Sequence, residues 1–195
     1  MVDDLDLRRE FFLALERVDE AVMQRAAAAG CPRCAGPLHR SDYDRKPRGA
    51  LIAPEGEEFV RRFSLCCGQE GCRKRATPPS VRFLGRRVYL GVVVIVASLV
   101  AQALGTAEAS RPVTGVPART TKRWLGWWRG PFLSTAVLVA VQARLVGVDT
   151  QALPASIVAK LPGTWQQRVR VVLEFLAPLT TGSLPAGSPF LRVTA

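Results

Sequence analysis

Five cysteines carry the clearest chemistry in this sequence. Cys31 and Cys34 form a C-x-x-C, and Cys67 and Cys72 form a C-x-x-x-x-C further along the chain. Short spacing lets two sulfurs converge from one tight turn, and Pro32 favours that turn. Two such knuckles are how a four-thiolate zinc ribbon is assembled. The segment between them is long enough to form a hairpin and return. Arg73, Lys74 and Arg75 follow the second pair, and neighbouring cations favour the thiolate, the form that ligates. The spacing therefore predicts Cys31, Cys34, Cys67 and Cys72 as ligands of one structural Zn2+. Cys66 is the spare thiol, because Cys67 shares an alternating strand face with Phe63 and Leu65 and opens the turn. Cys66 and the single histidine, His39, are the alternative ligands to Cys67.

A redox C-x-x-C and a disulfide pair are the competing readings. No βαβ pattern surrounds Cys31, which argues against the first. The start `MVDDLDLRRE` is acidic and has no apolar run, so a secretory signal is not expected. The sequence thus points to a reducing cytoplasm, where cysteines hold metal more often than they form disulfides.

The elements that must position these thiols follow from composition and periodicity. The chain has 195 residues, 48% of them hydrophobic, and a net charge of +11. That charge is uneven: residues 1–30 sum to −3, 31–87 to +7, 88–148 to +5 and 149–195 to +2. A basic middle suits polyanion partners. Leu7, Phe11, Leu15, Val18, Val22 and Ala26 recur at helical spacing, with Asp3, Asp4 and Asp6 at the start and Gly30 as the stop. This predicts an N-terminal amphipathic helix, packed on its own domain or used for dimerisation. From Cys31 to Pro79 prolines, glycines and charges dominate. Only short strand-like pieces occur, such as `EEFVRRFSLCC`, which alternates from Phe59 to Cys67 as a short antiparallel strand does. So thin a core needs a staple, and bound zinc supplies one.

The fold expected is mainly α with a small β zinc ribbon (α+β). It divides into an N-terminal helix (1–30), a zinc ribbon (31–79), a helix-turn-helix-like helical domain (80–148), C-terminal helices (149–177) and a flexible tail (178–195). Within the helical domain, Gly115 suits the turn, Val116 the apolar place after it, and Pro117 the start of the second helix. Trp124 and Trp128 share its inward side. Arg119, Thr120, Lys122 and Arg123 then face outward, with the group types that reach base edges and phosphates in a major groove. The stretch `CRKRATPPSVRFLGRR` adds six basic and no acidic residues, with Arg73, Lys74, Arg75, Arg86 and Arg87 as phosphate anchors.

The combination of `CPRC`, then `CC....GCRKR.TPPSVRFLGRRVYLG`, then `TGV..RTTKRWLGWWR` resembles the zinc-ribbon plus helix-turn-helix proteins associated with bacterial insertion sequences. Some of these form the DNA-binding front end of transposases. The resemblance covers roughly residues 31–130. It implies binding to double-stranded DNA, the four cysteines as zinc ligands, the second helix of the pair as the reader, and a homodimer or a transposase as partner. The sequence departs from the pattern at Arg111, Pro112, Thr114 and Thr121.

Two other classes were weighed. Residues 88–107 hold no charge, and the run is long enough for one membrane span beside a cytoplasmic zinc ribbon. Gly91, Ser98 and Gln102 interrupt the run, which favours a buried central helix. The other alternative is an RNA- or protein-binding ribbon whose helices only mediate assembly. Catalysis is not expected: after Glu70 only Glu108, Asp149 and Glu174 are acidic, too few for a divalent-metal active site, and no phosphate-cradling glycine loop occurs.

Overall fold

The first helix, α1 (Arg9–Ala29), ends at Gly30, whose φ of 77° is left-handed. A Cβ there would meet the Ala35 carbonyl oxygen at 2.9 Å, so glycine is required where the chain turns into its first cysteine. In this computed structural model residues 7–48, 57–84, 89–141 and 146–180 are described. Leu7, Phe11, Leu15 and Val22 of the expected stripe are buried, and Phe12, Met23 and Asp19 widen it. Asp3, Asp4 and Asp6 lie outside the described residues.

Five short strands follow: β1 (Leu38–Arg40), β2 (Tyr43–Asp44), β3 (Arg61–Arg62), β4 (Leu65–Cys67) and β5 (Arg75–Ala76). They make an antiparallel sheet of order β1-β4-β5 and a separate β2-β3 pair. The single strand expected over `EEFVRRFSLCC` is therefore broken. Glu57–Phe59 is a 3-10 turn, and β3 and β4 belong to different sheets. A residue 22 positions earlier intervenes: the Ser64 N–H donates to Asp42 Oδ1 at 3.1 Å. Arg62 is buried because its guanidinium donates to the carbonyls of Phe63 (3.2 Å) and Pro78.

The helical part comprises α2 (Gly91–Ala103), α3 (Ala107–Thr114), α4 (Ala118–Arg129), α5 (Ala136–Val141), α6 (Ala155–Lys160) and α7 (Trp165–Leu176). α2 is the centre: from Val92 through Ala97 no side chain is more than 1% exposed. Its one buried hydroxyl is satisfied, since Ser98 Oγ donates to the Val94 carbonyl (2.8 Å) and accepts from Trp128 Nε1 (3.2 Å). α7 starts with a capping box in which Thr164 and Gln167 satisfy each other's backbone N–H groups. One apolar cluster joins Phe12 and Leu15 of α1, Phe59, the valines of α2, Val116, Trp124, Trp128, Phe132, Leu153 and Leu173.

The architecture is thus mostly helical with a small antiparallel sheet, as the sequence predicts. At 13 residues α2 is about 20 Å long, short of the roughly 30 Å hydrocarbon layer. Among the described residues no helix is long and apolar enough to cross a membrane. The tail beyond Thr180 lies outside the described residues.

Candidate metal centre and basic face

The sulfurs of Cys31, Cys34, Cys67 and Cys72 all lie within 4.8 Å of one another. Across the two knuckles, Cys31 Sγ is 3.8 Å from Cys72 Sγ and Cys34 Sγ is 3.5 Å from Cys67 Sγ. Tetrahedral thiolates with metal–sulfur bonds of about 2.3 Å sit about 3.8 Å apart, so the four sulfurs fit one divalent ion. The site can hold a metal ion, and its donor set is that of a structural centre with no open position.

Sequence and backbone explain the convergence. In each knuckle the residue after the second cysteine is left-handed: Ala35 has φ 56° and Arg73 has φ 44°. The first turn closes with Ala35 N–H to the Cys31 carbonyl (2.8 Å), the second with Cys72 N–H to the Gln69 carbonyl (3.1 Å). The sheet brings the knuckles together, because β4 carries Cys67 and pairs with β1, which follows the first knuckle. The Arg33 backbone N–H, hydrogen-bonding to the sulfur, holds the Cys31 thiol down to about 7. Burial pushes Cys67 up to about 12. One thiol therefore ionises near neutral pH, and the deepest keeps its proton until a cation displaces it.

Cys66 turns away from the cluster, its sulfur 3.5 Å from the Arg73 carbonyl oxygen. His39 stands opposite Cys66 in the β1–β4 register and packs over Gly68, where a Cβ would collide with its ring. Neither is in the four-sulfur group.

The basic residues divide. Arg73 and Lys74 are exposed, with no carboxylate in ion-pair range among the described residues. Arg75 is exposed but already donates to the Ser41 carbonyl (2.8 Å) and Ser64 Oγ (2.9 Å), so it braces β5 against the neighbouring loop. Arg82, counted in the basic stretch, is 1% exposed and is spent on Asp19 and Glu16. Arg86 and Arg87 lie outside the described residues.

On α4, Thr121, Trp124 and Trp128 are buried, while Arg119, Lys122 and Arg123 are exposed and Thr120 is half-buried. The helix is introduced by Gly115, left-handed at φ 63°, and by Val116, which is fully buried. α3 continues through Pro112, and Ser110 and Thr114 close their hydroxyls on backbone carbonyls of their own helix. Lys122 is not alone: its Nζ is 2.6 Å from Glu108 Oε1 in the first turn of α3. In the sequence Glu108 stands as one of only three carboxylates after Glu70. Its spacing to Lys122 belongs to no single-helix pattern, so no periodicity pointed to the pair.

No family model, no curated protein and no solved structure matches the chain.

Proposed function

We propose that the chain is a non-catalytic, Zn2+-dependent binding protein for double-stranded DNA, acting in transposition or in transcriptional control. In this reading α3 and α4 form a helix-turn-helix, and Arg119, Thr120 and Arg123 of α4 reach base edges and phosphates. The zinc ribbon adds Arg73 and Lys74 as phosphate contacts. Zinc supplies fold energy that the thin core between Cys31 and Ala76 lacks, by tying its two knuckles together.

The observation that carries the reading is the division of α4 into two faces. Thr121, Trp124 and Trp128 anchor one against α2, leaving Arg119, Lys122 and Arg123 on the other. A helix so anchored presents its cations rigidly, which base readout requires and a loose basic tail does not offer. The excess positive charge of residues 31–148 supplies the sequence-independent attraction.

The test compares affinity for duplex DNA and for RNA across a salt series, with and without chelator, after selection of preferred sites from a random pool. Duplex preference, loss on chelation and a recoverable consensus are expected. Arg123→Ala should weaken binding to the consensus by about tenfold or more while changing random duplex much less. Equal affinity for RNA and duplex, with no consensus, overturns the reading in favour of an RNA-binding ribbon.

A further inference from the structure

The Lys122–Glu108 contact bears on how the proposed DNA face chooses its ligand. Both residues are surface groups, 62% and 60% exposed, on different helices that pack against each other. Glu108 sits in the first turn of α3, after the N-cap Thr106, whose side chain accepts from the Ala109 N–H. That is where backbone N–H groups would otherwise welcome a phosphate. A carboxylate there favours the helix dipole and repels a polyanion. The Lys122 hydrogen bond also holds the Glu108 carboxyl below the ordinary range, so Glu108 stays a carboxylate across the physiological pH range. Arg119 and Arg123, one on each side of Lys122 in the sequence, have no carboxylate in ion-pair range among the described residues.

We infer that Glu108 is a specificity gate on the α4 face: it clasps Lys122 away from phosphate, so that loosely docked DNA meets a neutralised pair in place of a free cation. This rests on the DNA-binding reading above. An exposed ion pair is weak and screened by salt, so the clasp opens at modest cost. Opening it, however, leaves Glu108 unpaired beside the phosphate chain. A sequence that docks α4 fully gains base contacts that offset this, and random sequence does not. Lys122 is therefore held in reserve, and the phosphate contacts that α4 makes in random-sequence complexes come from Arg119 and Arg123. Glu108 acts here as a positioning residue through Lys122.

The experiment measures affinity of the full-length protein for random duplex DNA and for a selected site over a salt series, in four forms: unsubstituted, Glu108→Gln, Lys122→Ala and the double variant. Glu108→Gln should bind random duplex about three- to tenfold more tightly at low salt. Its salt slope should steepen by about 0.9, the value for one added phosphate contact, and discrimination against random sequence should fall correspondingly. Lys122→Ala alone should leave the slope unchanged, because no phosphate contact is lost, while affinity falls about two- to fivefold because Glu108 is left unpaired, and it should abolish the gain when added to Glu108→Gln. Unchanged melting temperatures would separate these effects from folding. A Lys122→Ala variant whose slope flattens by about 0.9 overturns the inference, since Lys122 would already hold phosphate. So does a Glu108→Gln variant with unaltered slope. Failure of the unsubstituted protein to bind duplex DNA withdraws the underlying reading, and the gate with it, before any variant is compared.

Discussion

Arg82 Nε lies 2.8 Å from Asp19 Oδ2, and each side chain is 1% exposed. The contact joins α1 to the linker between the sheet and α2. Asp19 also accepts from Ser80 Oγ and from the Val81 N–H, both at 2.7 Å, while Arg82 reaches Glu16 (3.0 Å) and the Phe59 carbonyl (3.1 Å). One terminal nitrogen, Arg82 Nη2, has no hydrogen-bond partner among the described residues. Removing one member of a buried pair leaves the other charged in a poor solvent, typically at a cost of about 3–5 kcal/mol. Asp19→Ala should therefore lower the denaturant midpoint steeply. Asp19→Leu with Arg82→Met, which removes both charges, should recover much of the loss.

Metal content separates the adjacent thiols. Cys67→Ser should abolish stoichiometric zinc, whereas Cys66→Ser should retain it, because only Cys67 belongs to the four-sulfur cluster. Elemental analysis of the purified variants checks this, and cobalt substitution gives an independent thiolate charge-transfer band. Retention of metal by Cys67→Ser would reassign the site.

Acid should weaken metal binding in a defined direction. Cys67, pushed up to about 12 by burial, enters the complex by losing a proton throughout the neutral range. Cys34, raised through its hydrogen bond with Cys72 and by burial, does the same, and Cys31, held down to about 7 by the Arg33 N–H, adds a further released proton only as the pH falls below that value. Affinity should thus rise about tenfold per pH unit for each proton released, more steeply near pH 6 than near pH 8. Competition against a chelator of known affinity measures the slope, and a pH-independent constant would contradict it.

Two glycines should respond with opposite sign. At Gly91 a Cβ would meet Leu173 Cδ2 at 2.8 Å and the Val81 carbonyl oxygen at 3.2 Å, so Gly91→Ala should cost about 1–3 kcal/mol through overpacking. Gly126, in the exposed part of α4, has nothing within 4 Å. Gly126→Ala should add about 1 kcal/mol by raising helix propensity. Thermal melts of both variants decide this.

Thr121 offers a third stability test. Its hydroxyl is buried, and Oγ1 has no hydrogen-bond partner among the described residues. Thr121→Val keeps the shape and removes the desolvated hydroxyl, so stability should rise by about 1 kcal/mol. A loss of similar size would show that the hydroxyl is bonded in solution.

What the sequence disclosed was local. The metal-site cysteines were legible because each pair closes within one turn. The buried faces of α1 and α4 were legible because Phe11, Leu15 and Val22, or Trp124 and Trp128, repeat at helical spacing. What stayed hidden depended on partners far along the chain. Arg82 reads as one more cation until Asp19 and Glu16 face it, and Lys122 shows no partner in the sequence until α3 brings up Glu108. The break in `EEFVRRFSLCC` comes from Asp42 capturing the Ser64 N–H, which alternation cannot show. One signal was present and unused: Asp19 lies between Leu15 and Val22 at the edge of an apolar stripe, where a carboxylate implies a buried partner.

The all-round burial of α2 has a consequence for biosynthesis. Leu173 and Leu176, which help enclose it, are translated roughly 70 residues after Ala103, about 4–15 s later at ordinary elongation rates. Through that interval α3 and α4 already flank the segment, but the side that α7 covers stays open. The yield of native protein is therefore expected to respond to chaperone capacity as well as to the stability of the finished fold.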